Sequence, residues 1–140
     1  MAQGARWRQT VGVEVKLASE VVTRGEGDGL RRPPVEAVER RNGAVVVRLA
    51  GELDLYNVSE VSLALAQAAE QAPDRLVVDL GEVDFVDSTA LGALVEARRG
   101  LETRLLLAAP GPDVRRALEV SGLAAHFDVR DSVDEALSSS

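Results

Sequence analysis

The fold is decided by the stretch LVVDLGEVDFVDSTALGAL, residues 76–94. It opens on Leu76-Val77-Val78-Asp79-Leu80, a short apolar run of the kind that forms a buried central strand. Further along, Leu91 and Leu94 have the spacing of one helical face, in a segment predicted to begin near Ser88. A strand that leads into a helix is the basic unit of an α/β domain.

Upstream of this unit, the pattern predicts a hairpin and a helix. Residues 35–40 and 44–50 are β-prone runs on either side of Asn42-Gly43, a pair that readily adopts the two positive φ angles of a tight turn. Asn57 is followed three residues later by a glutamate, which is the spacing of a capping box and predicts a helix start. The domain is therefore expected to open with two antiparallel strands.

Downstream, the alternation of strands and helices continues. Residues 104–109 predict another buried strand, and Pro112 favours the first turn of a third helix that ends at Gly122. Residues 127–129 predict a short last strand, and Ser132 begins a second capping-box pattern for a terminal helix. The fold class is α/β: one domain with a mixed β-sheet, opened by a hairpin and continued by parallel strands with helical crossovers.

The N-terminal part of the chain differs in composition from the rest. Residues 25–34 are rich in glycine and then in arginine and proline, which is typical of a linker. Before it, residues 11–17 alternate apolar and polar side chains, the pattern of a half-buried edge strand. We therefore divide the chain into an extension at residues 1–34 and a domain at residues 35–140.

Composition excludes several kinds of site. The 140 residues include no cysteine and a single histidine, which leaves no thiolate or two-histidine metal site, and no cofactor is expected. A formal net charge of -7 argues against nucleic-acid binding, because that affinity comes largely from lysine and arginine. The sequence shows neither a membrane span nor a signal peptide, so we expect a cytoplasmic protein that binds other proteins.

The turn before the second helix carries the candidate site. Ser88 is predicted as the helix N-cap, at the end of the sheet where ligands of α/β domains bind. Four carboxylates are predicted in loops at the same end: Glu52, Asp54, Asp84 and Asp87. Spacing alone favours an ordinary cap, turn-forming carboxylates and a solvated acidic rim over a functional site.

A hydrolase that uses Ser88 as its nucleophile is a rival interpretation. It would need a base beside the hydroxyl, and His126 is the only imidazole in the chain. Its place within a small apolar segment far along the chain favours a partly buried structural histidine. We therefore expect no enzymatic activity.

Four motifs, in order, carry a family resemblance. They are Gly51-Glu52-Leu53-Asp54, Val77-Val78-Asp79-Leu80, Val83-Asp84-Phe85-Val86-Asp87-Ser88-Thr89-Ala90-Leu91-Gly92 and Val120-Ser121-Gly122-Leu123. Over residues 35–137 the chain resembles the STAS domain family, especially its anti-sigma factor antagonists. These proteins often have a second serine and a glycine after the acceptor, where this chain has Thr89 and Ala90.

The resemblance implies a regulator that binds an anti-sigma factor and so frees a sigma factor for transcription, as in stress response or sporulation. It implies that an anti-sigma factor serine kinase, which supplies the ATP site, phosphorylates Ser88 or alternatively Thr89, and that a serine/threonine phosphatase reverses this. The residues expected to contact the partner are Glu52, Asp54, Asp84, Asp87, Ser88, Thr89 and Leu91. The alternative is a STAS-type adaptor of a signalling or transport assembly that is not phosphorylated.

Overall fold

A computed structural model describes residues 32–138. The edge strand predicted at residues 11–17 and most of the predicted linker lie outside this range. The elements in chain order are β1 Val35–Arg41, β2 Ala44–Leu53, α1 Val58–Glu70, β3 Arg75–Val86, α2 Ser88–Gly100, β4 Arg104–Ala108, α3 Pro112–Val120, a 3₁₀ turn at Leu123–His126, β5 Asp128–Arg130 and α4 Val133–Ser138.

The five strands form one mixed sheet in the order β1-β2-β3-β4-β5. The pair β1 and β2 is antiparallel, and each later pair is parallel. The hairpin turn has φ angles of 51° at Asn42 and 85° at Gly43, as its sequence predicted. The α/β class and the hairpin opening are confirmed.

Alternating side chains of the strands form two apolar cores. On one face of the sheet, Val47, Val78 and Leu107 pack with the apolar residues of α1, α2 and α3. On the other face, Val46 and Leu106 belong to a smaller cluster with residues of α4. Burial on both faces explains why the central strands are continuous apolar runs. Among residues 32–138, no helix is long and apolar enough to cross a bilayer.

Strand β3 is longer than its apolar run predicted. It continues through Val86 because the pairing with β2 accommodates two irregularities, one between Asp79 and Glu82 and one between Val83 and Phe85. At each, β3 has one more residue than the facing stretch of β2, as in a β-bulge. The expectation that Asp84 lies in a loop is therefore wrong, and Glu52, predicted in a loop as well, lies within β2.

Helix ends differ in how well the sequence predicted them. Pro112 opens α3, and the Ser132 hydroxyl accepts a hydrogen bond from the Glu135 amide at 3.1 Å, so both of these predicted starts are confirmed. The capping box at Asn57 is wrong, because the Asn57 side chain makes no cap hydrogen bond to α1. The predicted last strand begins one residue later, after the 3₁₀ turn.

Candidate functional site

The site lies where two parallel strands end side by side. Leu53, the last residue of β2, pairs with Val86, the last residue of β3. Residues 54–57 then lead into α1, whereas α2 begins two residues after Val86. Both helices therefore start at the same edge of the sheet, where their free backbone N–H groups favour anions.

Asp87, and not Ser88, is the N-cap of α2. Its Oδ1 accepts a hydrogen bond from the amide of Ala90 at 2.9 Å, in extended backbone geometry that is usual for a cap. Its Oδ2 accepts from the amide of Leu55 at 3.1 Å, and its own amide donates to the Leu53 carbonyl. The prediction that Ser88 caps the helix is wrong, because the Asp87 carboxylate accepts the capping hydrogen bond from the Ala90 amide.

Ser88 and Thr89 occupy the first turn of α2 and are exposed. Since Asp87 provides the cap, the Ser88 hydroxyl is not required for capping. Ser88 is an exposed residue at the helix N-terminus. The two residues that follow anchor this turn: Ala90 and Leu91 are only 3% and 6% exposed and pack in the larger core. Leu91 therefore anchors this turn in the core, and its burial leaves little of its surface for the partner contact that was expected.

The turn between β2 and α1 is held by side chains at its own ends. Asn57 is 8% exposed; its amide group donates to the Glu52 carbonyl at 2.8 Å and its Oδ1 accepts from the Asp54 amide at 3.0 Å. The Asp54 carboxylate accepts from the Tyr56 amide at 3.0 Å. Asp54 is thus the turn-forming carboxylate that its residue type suggested.

The four predicted carboxylates do lie at one edge of the sheet, where β2 and β3 end. Glu52 and Asp84 are exposed, and Asp54 and Asp87 are half-buried. The first two lie near the ends of paired strands, and the other two follow those strands directly. The edge around Ser88 is therefore acidic, although each helix N-terminus contributes a partial positive charge.

Three exposed apolar side chains at this edge were missed from the sequence. Leu55 and Tyr56 are 61% and 83% exposed in the turn before α1, and Phe85 is 49% exposed beside Glu52 in the strand pairing. The available signal was their position: Leu55 and Tyr56 interrupt a turn otherwise made of polar residues. Exposed apolar residues beside polar groups are typical of protein-binding surfaces.

The fold does not bring together Ser88 and His126, the two residues that a hydrolase would need. Ser88 follows the C-terminal end of β3, whereas His126 precedes the N-terminal end of β5. Because β3, β4 and β5 are parallel, these positions lie at opposite edges of the sheet. His126 is also exposed, so the expectation of a partly buried histidine is wrong. Within residues 32–138, acidic and histidine side chains form no cluster suited to a metal ion.

Comparison with known sequences identifies one domain family. Residues 37–136 match the family model described as the STAS domain. The anti-sigma-B factor antagonist of Listeria monocytogenes is 31% identical over 100 residues, which covers 69% of this chain and 88% of the relative.

Solved structures agree with the sequence comparisons. An anti-sigma factor antagonist from Mycobacterium paratuberculosis is 32% identical, with a TM-score of 0.68 over 72% of this chain and 88% of the other. The anti-sigma factor antagonist SpoIIAA in its unphosphorylated form is 28% identical, with a TM-score of 0.62 over 72% and 91%. The phosphorylated form of SpoIIAA, a cell fate determinant of Bacillus, is 27% identical, with a TM-score of 0.56 over 72% and 95%.

Proposed function

This chain belongs to the STAS domain family, and we propose that it acts as an anti-sigma factor antagonist switched by phosphorylation of Ser88. Unphosphorylated, it binds an anti-sigma factor through the edge of the sheet that carries Ser88. The anti-sigma factor then releases a sigma factor, which is free to direct transcription. Both steps take place in the cytoplasm, where sigma factors and ATP are found.

The observation that carries this proposal is the exposed Ser88 hydroxyl on a helix start that Asp87 already caps. Because the cap hydrogen bond is made by Asp87, modification of Ser88 leaves that hydrogen bond in place. The relative SpoIIAA, known in phosphorylated and unphosphorylated forms, supports an acceptor in this fold. Thr89, also exposed in the first turn, is the alternative acceptor.

The phosphoryl group comes from the partner. In this proposal the anti-sigma factor is also a serine kinase that supplies ATP and the catalytic base, so this chain supplies a hydroxyl and needs no cofactor. The Ser88 oxygen attacks the γ-phosphorus, the hydroxyl proton passes to the base, and ADP leaves. A serine/threonine phosphatase hydrolyses the ester and restores binding.

Electrostatics explain why the modified protein would stop binding. A phosphoserine adds roughly -1.5 to -2 charges at neutral pH. The N-terminus of α2 attracts that charge by about 0.3 to 1 kcal/mol, while the acidic edge repels it. This attraction keeps the fold intact but does not offset the desolvation of a dianion inside an interface. The switch therefore acts on binding and leaves folding unchanged.

The test uses purified anti-sigma factor kinases of the source organism. Incubation with ATP and Mg²⁺, followed by intact mass, should add one phosphate to the wild type and to Thr89→Ala but none to Ser88→Ala. Ser88→Ala should bind the kinase, and Ser88→Asp should bind it much more weakly. Equal binding by the two variants contradicts the switch, and binding without any phosphate transfer favours the unphosphorylated adaptor.

A further inference from the structure

We infer that Leu55 and Tyr56, here called the Leu55–Tyr56 corner, form the apolar anchor by which this chain binds its anti-sigma factor. The partner surface that fits the corner is an apolar pocket rimmed by lysine or arginine. This inference rests on the proposed function and extends it from the phosphorylated residue to the residues that supply affinity.

The fold itself does not use these two side chains. They are 61% and 83% exposed, and the hydrogen bonds that they contribute to the turn are made by their backbone amides. Three other large apolar residues are exposed in the described part of the chain: Leu63 and Val120 lie in separate helices, and Phe85 lies in β3. Within residues 32–138, only the corner places two such residues next to each other. An exposed pair of this kind is explained by a partner more simply than by folding.

Hydrogen bonds hold the backbone of the corner in place before any partner arrives. The Asp54 carbonyl accepts hydrogen bonds from the amides of Asn57 at 3.2 Å and Val58 at 3.0 Å, which closes the turn onto the first residue of α1. The Asp54 carboxylate and the Asp87 carboxylate hold the amides of Tyr56 and Leu55. With the backbone held, binding has to order only the two side-chain dihedrals of Tyr56, and tyrosine is common among the residues that dominate interfaces.

One carboxylate joins the corner to the switch. Asp87 bonds the Leu55 amide with Oδ2 and caps the helix of Ser88 with Oδ1, so the corner and the acceptor belong to one continuous surface. A partner that approaches Ser88 closely enough to phosphorylate it therefore also meets the corner. A phosphate on Ser88 adds charge directly beside the apolar contact and opposes its desolvation.

Charge around the corner defines the rim of the partner pocket. The exposed carboxylates Glu52 and Asp84 lie at the same edge of the sheet, with Asp54 and Asp87 half-buried beside the corner. An apolar centre with an acidic rim is complementary to an apolar pocket with a basic rim. Such a pair should associate faster at low ionic strength, because charged rims mainly influence the rate of encounter.

The test compares matched apolar deletions in the full chain. Affinity for each purified anti-sigma factor of the source organism is measured with unphosphorylated protein. The double variant Leu55→Ala/Tyr56→Ala should bind on the order of 30-fold more weakly than wild type. The control Leu63→Ala/Val120→Ala removes two exposed apolar side chains elsewhere and should stay within about twofold. Tyr56→Phe, which keeps the ring, should retain most of the affinity.

The possible failures are distinct. If the wild type binds an anti-sigma factor and the corner variant binds within about twofold of it, this inference is wrong and the proposed function stands. If the wild type binds none of them, both fail. Should the corner variant lose thermal stability, a photo-crosslinker at position 56, introduced as Tyr56→p-benzoylphenylalanine, decides the matter. A crosslink to the anti-sigma factor that is absent with the same group at position 63 supports the corner, and its absence overturns it.

Discussion

The Asp87 carboxylate accepts a hydrogen bond from the backbone amide of Leu55 at 3.1 Å, although the two residues are 32 positions apart. Its other oxygen caps α2 through Ala90. A single side chain therefore fixes both the start of the helix that carries Ser88 and the turn that carries the exposed Leu55 and Tyr56.

We expect Asp87→Ala to lower the free energy of unfolding by about 2 kcal/mol, since it loses a cap and a second hydrogen bond. Asp87→Asn should cost less. Its side-chain oxygen can still accept the hydrogen bond from the Ala90 amide, although its NH2 group then faces the Leu55 amide and cannot accept from it. Urea unfolding measures both values, with Asp84→Ala as the exposed carboxylate control. In Asp87→Asn, hydrogen exchange should speed up at the Leu55 amide. Equal stability of all three variants would contradict this role.

Ser88 substitutions should separate binding from folding. Ser88→Asp places a carboxylate in the first turn of α2, where the helix N-terminus favours it and the acidic edge opposes it. We therefore expect the free energies of unfolding of Ser88→Asp and Ser88→Ala to differ by less than about 1 kcal/mol. Thermal unfolding of both variants and of the phosphorylated wild type provides the measurement. A large loss of stability on phosphorylation would show that the switch acts through folding.

The architecture was predictable because its signals are local. The apolar run at residues 76–80, the Asn42-Gly43 turn and Pro112 are each signals contained within a few consecutive residues, and all three features occur as expected. The extra length of β3 was not predictable in this way. Its two bulges depend on which residues of β2 face it, and this is a property of paired strands and not of either strand alone.

The candidate site was likewise predictable only where its signals are local. Asp87 and Ser88 are adjacent and both suit an N-cap, so the sequence offers no local reason to choose between them. In the structure, the Asp87 carboxylate bonds the Leu55 amide as well as Ala90, and the Leu55 amide comes within reach only after β2 and β3 have paired. The exposure of Tyr56 was signalled only by its position in a turn, because tyrosine is intermediate in burial by residue type and its surroundings are known only from the fold.

The buried Asn57 side chain should contribute to stability, because it joins two backbone groups of the turn before α1. Removal of its side chain in Asn57→Ala leaves the Glu52 carbonyl and the Asp54 amide without this partner, which should cost about 1 to 3 kcal/mol. Asn57→Asp keeps an acceptor for the Asp54 amide but sets a carboxylate oxygen against the Glu52 carbonyl. Urea unfolding should rank both below wild type, and Gln67→Ala, an exposed amide on the same helix, should change little. Wild-type stability in Asn57→Ala would show that the turn does not depend on this link.

Glu60 makes the stability of the protein depend on pH. This residue is half-buried in the first turn of α1, and desolvation by burial raises the pKa of its carboxyl group above the ordinary value of 4.5. The folded state therefore holds the proton more strongly than the unfolded chain does, and stability falls as pH rises from 4.5 through the raised folded pKa.

Glu60→Gln has no titrating group at this position and should escape that loss. The difference in free energy of unfolding, variant minus wild type, should shift in favour of the variant as pH rises through this window, and it should be greatest above the folded pKa. Urea unfolding from below pH 4.5 to neutral pH measures the difference, with Glu70→Gln as a reference for the loss of an exposed charge from the same helix. A difference that stays constant with pH, or that shifts toward the wild type, would show that burial does not set the proton affinity of Glu60.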